Sequence, residues 1–148
     1  MIILGIETSC DDTAVALVQD GVKILSNVVA DQSYMHERYG GIIPEISARE
    51  HLITIIPTVD RCLEEASVSN REIEAIAVTH GPGLAGSLLV GVNAAKALAY
   101  SWDTSLIGIN HLEGHIYAAW LEELYHNSQL KFPIVCLIAS GGHTELVL

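Results

Sequence analysis

Two histidines four residues apart, in the run Asn110-His111-Leu112-Glu113-Gly114-His115, are the residues of this sequence best placed to do chemistry. On a helix, positions i and i+4 share a face, so both imidazoles can reach one divalent ion. Asn110 is a good N-cap for a helix that opens at His111. Gly114 weakens that helix, which suggests that another group approaches the backbone there. The pattern differs from the His-Glu-x-x-His of metalloproteases, because Glu113 stands at the wrong position. A third ligand is needed and none is identifiable nearby, so the pair on its own reads equally well as two ordinary histidines on an amphipathic helix.

Three turns carry the other candidate residues. Glu7-Thr8-Ser9-Cys10-Asp11-Asp12-Thr13 gathers hydroxyls and carboxylates between two strand-like runs. Such a turn can offer main-chain N–H groups to a phosphate while a carboxylate holds a metal or water, or it can be a polar turn bonded to itself. Nothing around Cys10 lowers a thiol pKa, so it reads as inert. His80-Gly81-Pro82-Gly83-Leu84-Ala85-Gly86-Ser87 joins a strand to a helix; it fits an anion site at the helix start or a close helix packing, and matches neither common phosphate-loop pattern. Ser140-Gly141-Gly142-His143-Thr144 is a glycine turn between strands, able to wrap phosphate oxygens. His36, His51 and His126 have no matched partner and read as surface or capping residues, and Lys96 as a solubilising charge.

The elements that must position these residues follow from periodicity. Ile2 to Glu7, Thr13 to Gln19 and Val22 to Ala30 read as three antiparallel strands, with Asp20-Gly21 a tight hairpin signal. Leu52, Ile55, Ile56, Val59 and Leu63 recur at helical spacing, and Pro57 predicts that this helix is kinked or split. Ile73 to Thr79 is a buried strand, Leu84 to Tyr100 a helix, Leu106 to Ile109 a strand and His111 to Tyr125 a helix. Alternating strands and helices imply parallel additions to the sheet. The order βββαβαβα is that of a ribonuclease-H-like domain, the repeating unit of the actin and heat-shock ATPase architecture. Ile134 to Ala139 and Thr144 to Leu148 read as a final hairpin that repeats the amino-terminal one. The expected division is a first domain over 1–130 and the first hairpin of a second, similar domain over 131–148, with the chain stopping soon after entering it.

With 7 basic against 18 acidic residues among 148, the formal charge is −11. That balance opposes binding to nucleic-acid phosphates, so a nucleic-acid substrate would need positive surface from elsewhere. Three cysteines without a Cys-x-x-Cys pair suggest neither a disulfide framework nor a thiolate zinc site and fit a reducing cytoplasm. No apolar run approaches the roughly 18 residues of a membrane span. A soluble cytoplasmic protein with no membrane partner is expected.

Together, Gly5-Ile6-Glu7-Thr8-Ser9-Cys10-Asp11-Asp12-Thr13, Gly40-Gly41-Ile42-Ile43-Pro44-Glu45, Gly81-Pro82-Gly83-Leu84, Asn110-His111-Leu112-Glu113-Gly114-His115 and Ser140-Gly141-Gly142-His143-Thr144 resemble, in order, the TsaD family of tRNA adenosine threonylcarbamoyltransferases, whose archaeal and eukaryotic members belong to the KEOPS complex. The resemblance implies an enzyme that moves a threonylcarbamoyl group from its adenylate to the N6 amine of the adenosine beside the anticodon in ANN-decoding tRNAs. It implies that His111 and His115 are ligands of iron or zinc, completed by an aspartate of a later domain. It implies too that Ile138, Ala139, Ser140, Gly141 and Gly142 bind the adenylate or a nucleotide such as ATP or ADP, with Glu7, Thr8, Ser9, Cys10 and Asp11 facing the same cleft. TsaB-like and TsaE-like proteins are the implied bacterial partners, and a homo- or heterodimer would bury apolar helix surface. Ser105 departs from the proline usual before the histidine motif, a difference in turn stiffness. With two of three protein ligands, the 148 residues alone are expected to be inactive. The rival readings are a metallopeptidase, which the family's old glycoprotease label suggests, and a non-catalytic partner-binding module.

Overall fold

A computed structural model of the chain describes residues 1–126, 133–139 and 144–148. Strands β1 (Ile2–Glu7), β2 (Thr13–Gln19) and β3 (Lys23–Ala30) form the antiparallel meander expected from their alternation. Asp20 and Gly21 both take positive φ at the centre of the turn that the Val22 N–H closes on the Gln19 carbonyl at 3.2 Å, and the amino-terminal ammonium reaches the Asp20 carboxylate at 2.6 Å. A single-turn helix α1 (Ser33–His36) leads to the long α2 (Pro44–Ala66), followed by β4 (Ala75–Gly81), α3 (Ala85–Trp102), β5 (Ser105–Asn110) and α4 (His111–His126). The sheet order is β3-β2-β1-β4-β5, with β1, β4 and β5 mutually parallel. Strands β6 (Cys136–Ala139) and β7 (Thr144–Val147) pair separately as an antiparallel hairpin. Among the described residues no helix is long and apolar enough to cross a membrane.

The pleat divides the sheet into two faces. Leu4, Ile6, Val15, Leu17, Ile76 and Val78 are almost fully buried on the face that α2 and α3 cover. Gly5, Glu7, Ala14, Ala16 and Ala77 point the other way, toward a cleft lined from above by α4 through His111, Gly114, His115 and Ala118. Small side chains on that face keep the cleft open, at about 380 Å³.

Helix α2 excludes one of the two alternatives expected at Pro57 and corrects the expected buried face. It runs unbroken from Pro44 to Ala66 through Pro57, rather than splitting there. Pro57 and Ile53 are both exposed, so water can bond the Ile53 carbonyl that the proline leaves without a donor. The Pro57→Ala variant should therefore be more stable by about 1–2 kcal/mol, by restoring one main-chain hydrogen bond and removing the ring clash. A urea midpoint that fails to rise would refute this. The buried stripe is also rotated from the one the apolar spacing suggested. Ser47, His51, Ile55, Thr58, Val59 and Cys62 face inward, while Leu52 and Ile56 are 66% and 45% exposed.

The rotation has a local cause: the first half of α2 lies over a polar floor, where Thr13 is fully buried. His36 and His51 are consequently interior residues, not surface or capping ones. The His36 Nδ1 accepts from the Ile43 main-chain N–H at 3.3 Å, so its Nε2 carries the proton and donates to Ser47 Oγ at 3.2 Å. Both histidines serve as bonded interior groups that tie the 31–43 connection and the first turn to α2.

Candidate functional site

Because β1, β4 and β5 run parallel, their carboxyl ends share one edge of the sheet, the edge at which open α/β sheets bind ligands. Glu7 ends β1, Thr79 lies near the end of β4, and His111 follows β5 directly. These residues are 72 and 104 positions apart from Glu7 in the chain and meet here. The Thr79 hydroxyl donates to Glu7 Oε2 at 2.5 Å, and the Ser9 main-chain N–H donates to Glu7 Oε1. His111 Nδ1 lies 3.2 Å from Glu7 Oε2 and 3.1 Å from Ser9 Oγ.

Asn110 caps α4 as its type suggests, its side chain accepting from the Leu112 N–H at 2.9 Å. The helix then presents His111 and His115 as one pair, with Nε2 atoms 3.0 Å apart and ring planes inclined at 76°. Two imidazoles bound tetrahedrally to one ion at about 2.0–2.1 Å would place their nitrogens roughly 3.3 Å apart. The observed separation is close to that, so the pair fits an ion with little adjustment. Among the described residues no group of three His, Cys, Asp or Glu side chains could hold a metal, which leaves this pair one protein ligand short of a usual site. Gly114 lines the cleft, and a Cβ there would meet nothing within 4 Å. The approach to its backbone that the sequence suggested is not made by any described residue.

Glu7 is the electrostatic centre of the group. Burial alone would push its carboxyl up, but hydrogen bonds from Ser9, Thr79 and His111 outweigh that and hold it below the ordinary value of 4.5. The folded site thus favours the carboxylate. Its stabilising contribution is present above pH 4.5 and is lost as acid titrates the group through its lowered pKa. Cys10 is exposed, yet partial desolvation of its sulfur together with the neighbouring Asp11 pushes its thiol up, in keeping with an unreactive cysteine.

The Thr8–Asp12 turn is held from two sides. Thr8 is fully buried and its hydroxyl donates to the Ser87 carbonyl at 2.9 Å, while the Leu84 N–H donates to the Ser9 carbonyl at 2.7 Å. The loop before α3 can come this close because residue 83 lacks a side chain: a Cβ on Gly83 would lie 2.5 Å from the Ser9 carbonyl oxygen. Of the two readings open for the His80–Ser87 segment, close packing against the first turn is the one these contacts support. From the α2 side, His51 Nε2–H donates to the Cys10 carbonyl at 3.1 Å and its Nδ1 accepts from the Thr13 hydroxyl at 2.7 Å. The Gln32 N–H donates to Asp12 Oδ1 at 3.3 Å.

Of the other residues singled out from the sequence, Ile138 is buried and Ala139 exposed on β6, and Ser140, Gly141 and Gly142 lie outside the described residues. Two contributors were missed: Thr79 was not singled out at all, and His51 was read as a surface or capping residue. Thr79 carries no local signal beyond its place at a strand end. His51 did carry one, since it falls four residues after Ser47 and four before Ile55 on what proves to be the inward stripe.

Comparison with known proteins adds an independent line. The family model described as TsaD, tRNA N6-adenosine threonylcarbamoyltransferase, matches residues 23–148. A protein of Thermomicrobium roseum with that name is 58% identical over 150 residues, covering 100% of this chain and 41% of its own length. One of Koribacter versatilis is 54% identical, covering 99% and 39% respectively. The chain thus spans about two fifths of the length of these curated relatives. Among solved structures, YeaZ from Pseudomonas aeruginosa superposes with a TM-score of 0.61 at 21% identity, over 83% of this chain and 50% of that one. That likeness supports the ribonuclease-H-like fold.

Proposed function

This chain belongs to the TsaD family of tRNA N6-adenosine threonylcarbamoyltransferases, and from that premise we propose that its protein transfers a threonylcarbamoyl group from threonylcarbamoyl-AMP to tRNA. The acceptor is the N6 amine of the adenosine beside the anticodon in ANN-decoding tRNAs. The amine nitrogen bonds to the carbamoyl carbonyl carbon, the bond to AMP breaks, and the amine loses a proton. The observation that carries this reading is the convergence of His111 Nε2 and His115 Nε2 at the mouth of the cleft, within a chain of this family.

His111 and His115 would hold one divalent ion, iron or zinc, with a third ligand from outside the described residues. When bound, that ion supplies Lewis-acid polarisation of the group being transferred. The chain's own residues supply the frame. Glu7 and Ser9 orient His111, the apolar walls of Gly5, Ala14, Ala16 and Ala77 keep the cleft poor in water, and the Glu7–Asp11 turn would border the adenylate. The Ile138–Gly142 segment would take the nucleotide part, whether of the adenylate or of ATP or ADP.

Charge and exposed apolar surface both leave room for the partner proteins that the family implies. A chain with net charge −11 is a poor platform for tRNA phosphates, so tRNA binding draws on other surfaces, including TsaB-like and TsaE-like partners in the cytoplasm. Leu52, Ile53 and Ile56 on α2 and Leu89 on α3 stand exposed on the outer helix layer, where a partner's helices would cover them.

The test is transfer of threonylcarbamoyl from its adenylate to tRNA by the purified protein with its partners. His111→Ala and His115→Ala should each lower transfer by about 10²–10³-fold, the several kcal/mol that metal polarisation supplies. Full transfer by His111→Ala overturns the reading. So does cleavage of a protein substrate that is lost on the same substitution while no transfer is detectable.

A further inference from the structure

We propose that Glu7 is a positioning residue that sets the tautomer of His111, holding its proton on Nδ1 so that the Nε2 lone pair faces His115. The inference rests on the reading of the two histidines as metal ligands and assigns to Glu7 a role distinct from bordering the adenylate.

A neutral imidazole has one N–H and one lone pair, and what faces each nitrogen decides which is which. Two groups face His111 Nδ1: Glu7 Oε2 at 3.2 Å and Ser9 Oγ at 3.1 Å. The hydroxyl can donate or accept, whereas a carboxylate can only accept, so the carboxylate casts the deciding vote for Nδ1–H. The Nε2 lone pair is then directed toward the side on which His115 Nε2 lies, 3.0 Å away, so that both nitrogens would be available to one ion. Carboxylates bonded behind ligand histidines act in this way at many metal sites.

Glu7 is itself pinned at both oxygens. The Thr79 hydroxyl donates to Oε2 and the Ser9 main-chain N–H to Oε1, so the carboxylate cannot turn away from His111. Those anchors make the amide of Glu7→Gln an informative replacement. The Ser9 N–H demands an acceptor, so the amide oxygen stays on that side and the NH2 group takes the place of Oε2. There it can donate to the Thr79 hydroxyl, which is able to accept, and it opposes an N–H on His111 Nδ1. The imidazole should answer by moving its proton to Nε2, which points an N–H rather than a lone pair at His115.

The experiment reads the tautomer directly, without metal. Imidazole nitrogen shifts of His111 in the metal-free protein should report Nδ1–H, and in Glu7→Gln the Nε2–H form, with unchanged far-ultraviolet circular dichroism. Zinc affinity of the same variant should fall about 10–100-fold. Should Glu7→Gln not fold, Ser9→Ala removes the other group facing Nδ1 and should leave the Nδ1–H tautomer in place, because the carboxylate remains. An Nδ1–H tautomer that persists in the folded Glu7→Gln protein, or its loss in Ser9→Ala, overturns the proposal. Failure of the metal reading is seen separately, as zinc affinity that His111→Ala leaves unchanged.

Discussion

The Gly91→Ala variant should lose about 3 kcal/mol of stability, seen as a lower urea midpoint at unchanged slope. On helix propensity alone the change would gain roughly 1 kcal/mol, because glycine is a poor interior residue for a helix such as α3. Packing reverses that sign. A Cβ at residue 91 would lie 2.1 Å from Thr8 Oγ1 and 3.2 Å from Thr8 Cβ. Thr8 cannot yield, since it is fully buried and its hydroxyl is bonded to the Ser87 carbonyl one turn earlier on the same helix. Either α3 moves off β1 or the first turn is displaced, and the turn carries Ser9 beside His111. A cycle with Thr8→Ala separates the clash from general damage. Removing the threonine hydroxyl and methyl makes room, so the double variant should be more stable than the sum of the two single losses predicts. Strict additivity would show that residue 91 matters for another reason.

The His51→Ala variant should lose at least about 3 kcal/mol, a large effect for a residue that touches no proposed ligand. His51 is fully buried, and both ring nitrogens are used, one by the Cys10 carbonyl and one by the Thr13 hydroxyl. Its removal leaves a cavity and two polar groups without their partner, and each kind of loss costs on its own. The first turn would be freed on its α2 side, so transfer activity should fall along with stability. His51→Gln, which can still donate to a carbonyl, should recover part of the stability. Thermal unfolding of the three proteins decides the matter, and a His51→Ala midpoint within a degree of the parent would rule the network out as a support.

These two residues show where local reading stops. Gly91 sits in a helix rich in small residues and looks like one more of them, and its constraint is visible only once Thr8, 83 positions earlier in the numbering, lies beneath it. His51 looks solvent-exposed if Leu52 and Ile56 are taken as the buried face of α2. The helix turns the other way because its floor at that end is Thr13, not an aliphatic side chain. Periodicity alone could not decide between two stripes that both contain apolar residues, and the apolar one left outside is the surface available to a partner.

The sequence by itself determined the pairing of His111 with His115, the Asn110 cap, the order of the elements and the hairpin at Asp20-Gly21. All of these are written in contacts a few residues long, where backbone geometry converts spacing into position. The family, too, was legible, because its motifs are short runs in a set order. Only the tertiary structure decided that Glu7, Thr79 and Ser9 stand behind His111, since their meeting depends on three parallel strands ending at one edge in a particular register. A side chain 104 residues away leaves no trace in local spacing. The histidine pair was therefore readable as two nitrogens on one helix face, while the group that orients one of them became visible only when the sheet brought β1 beside β4.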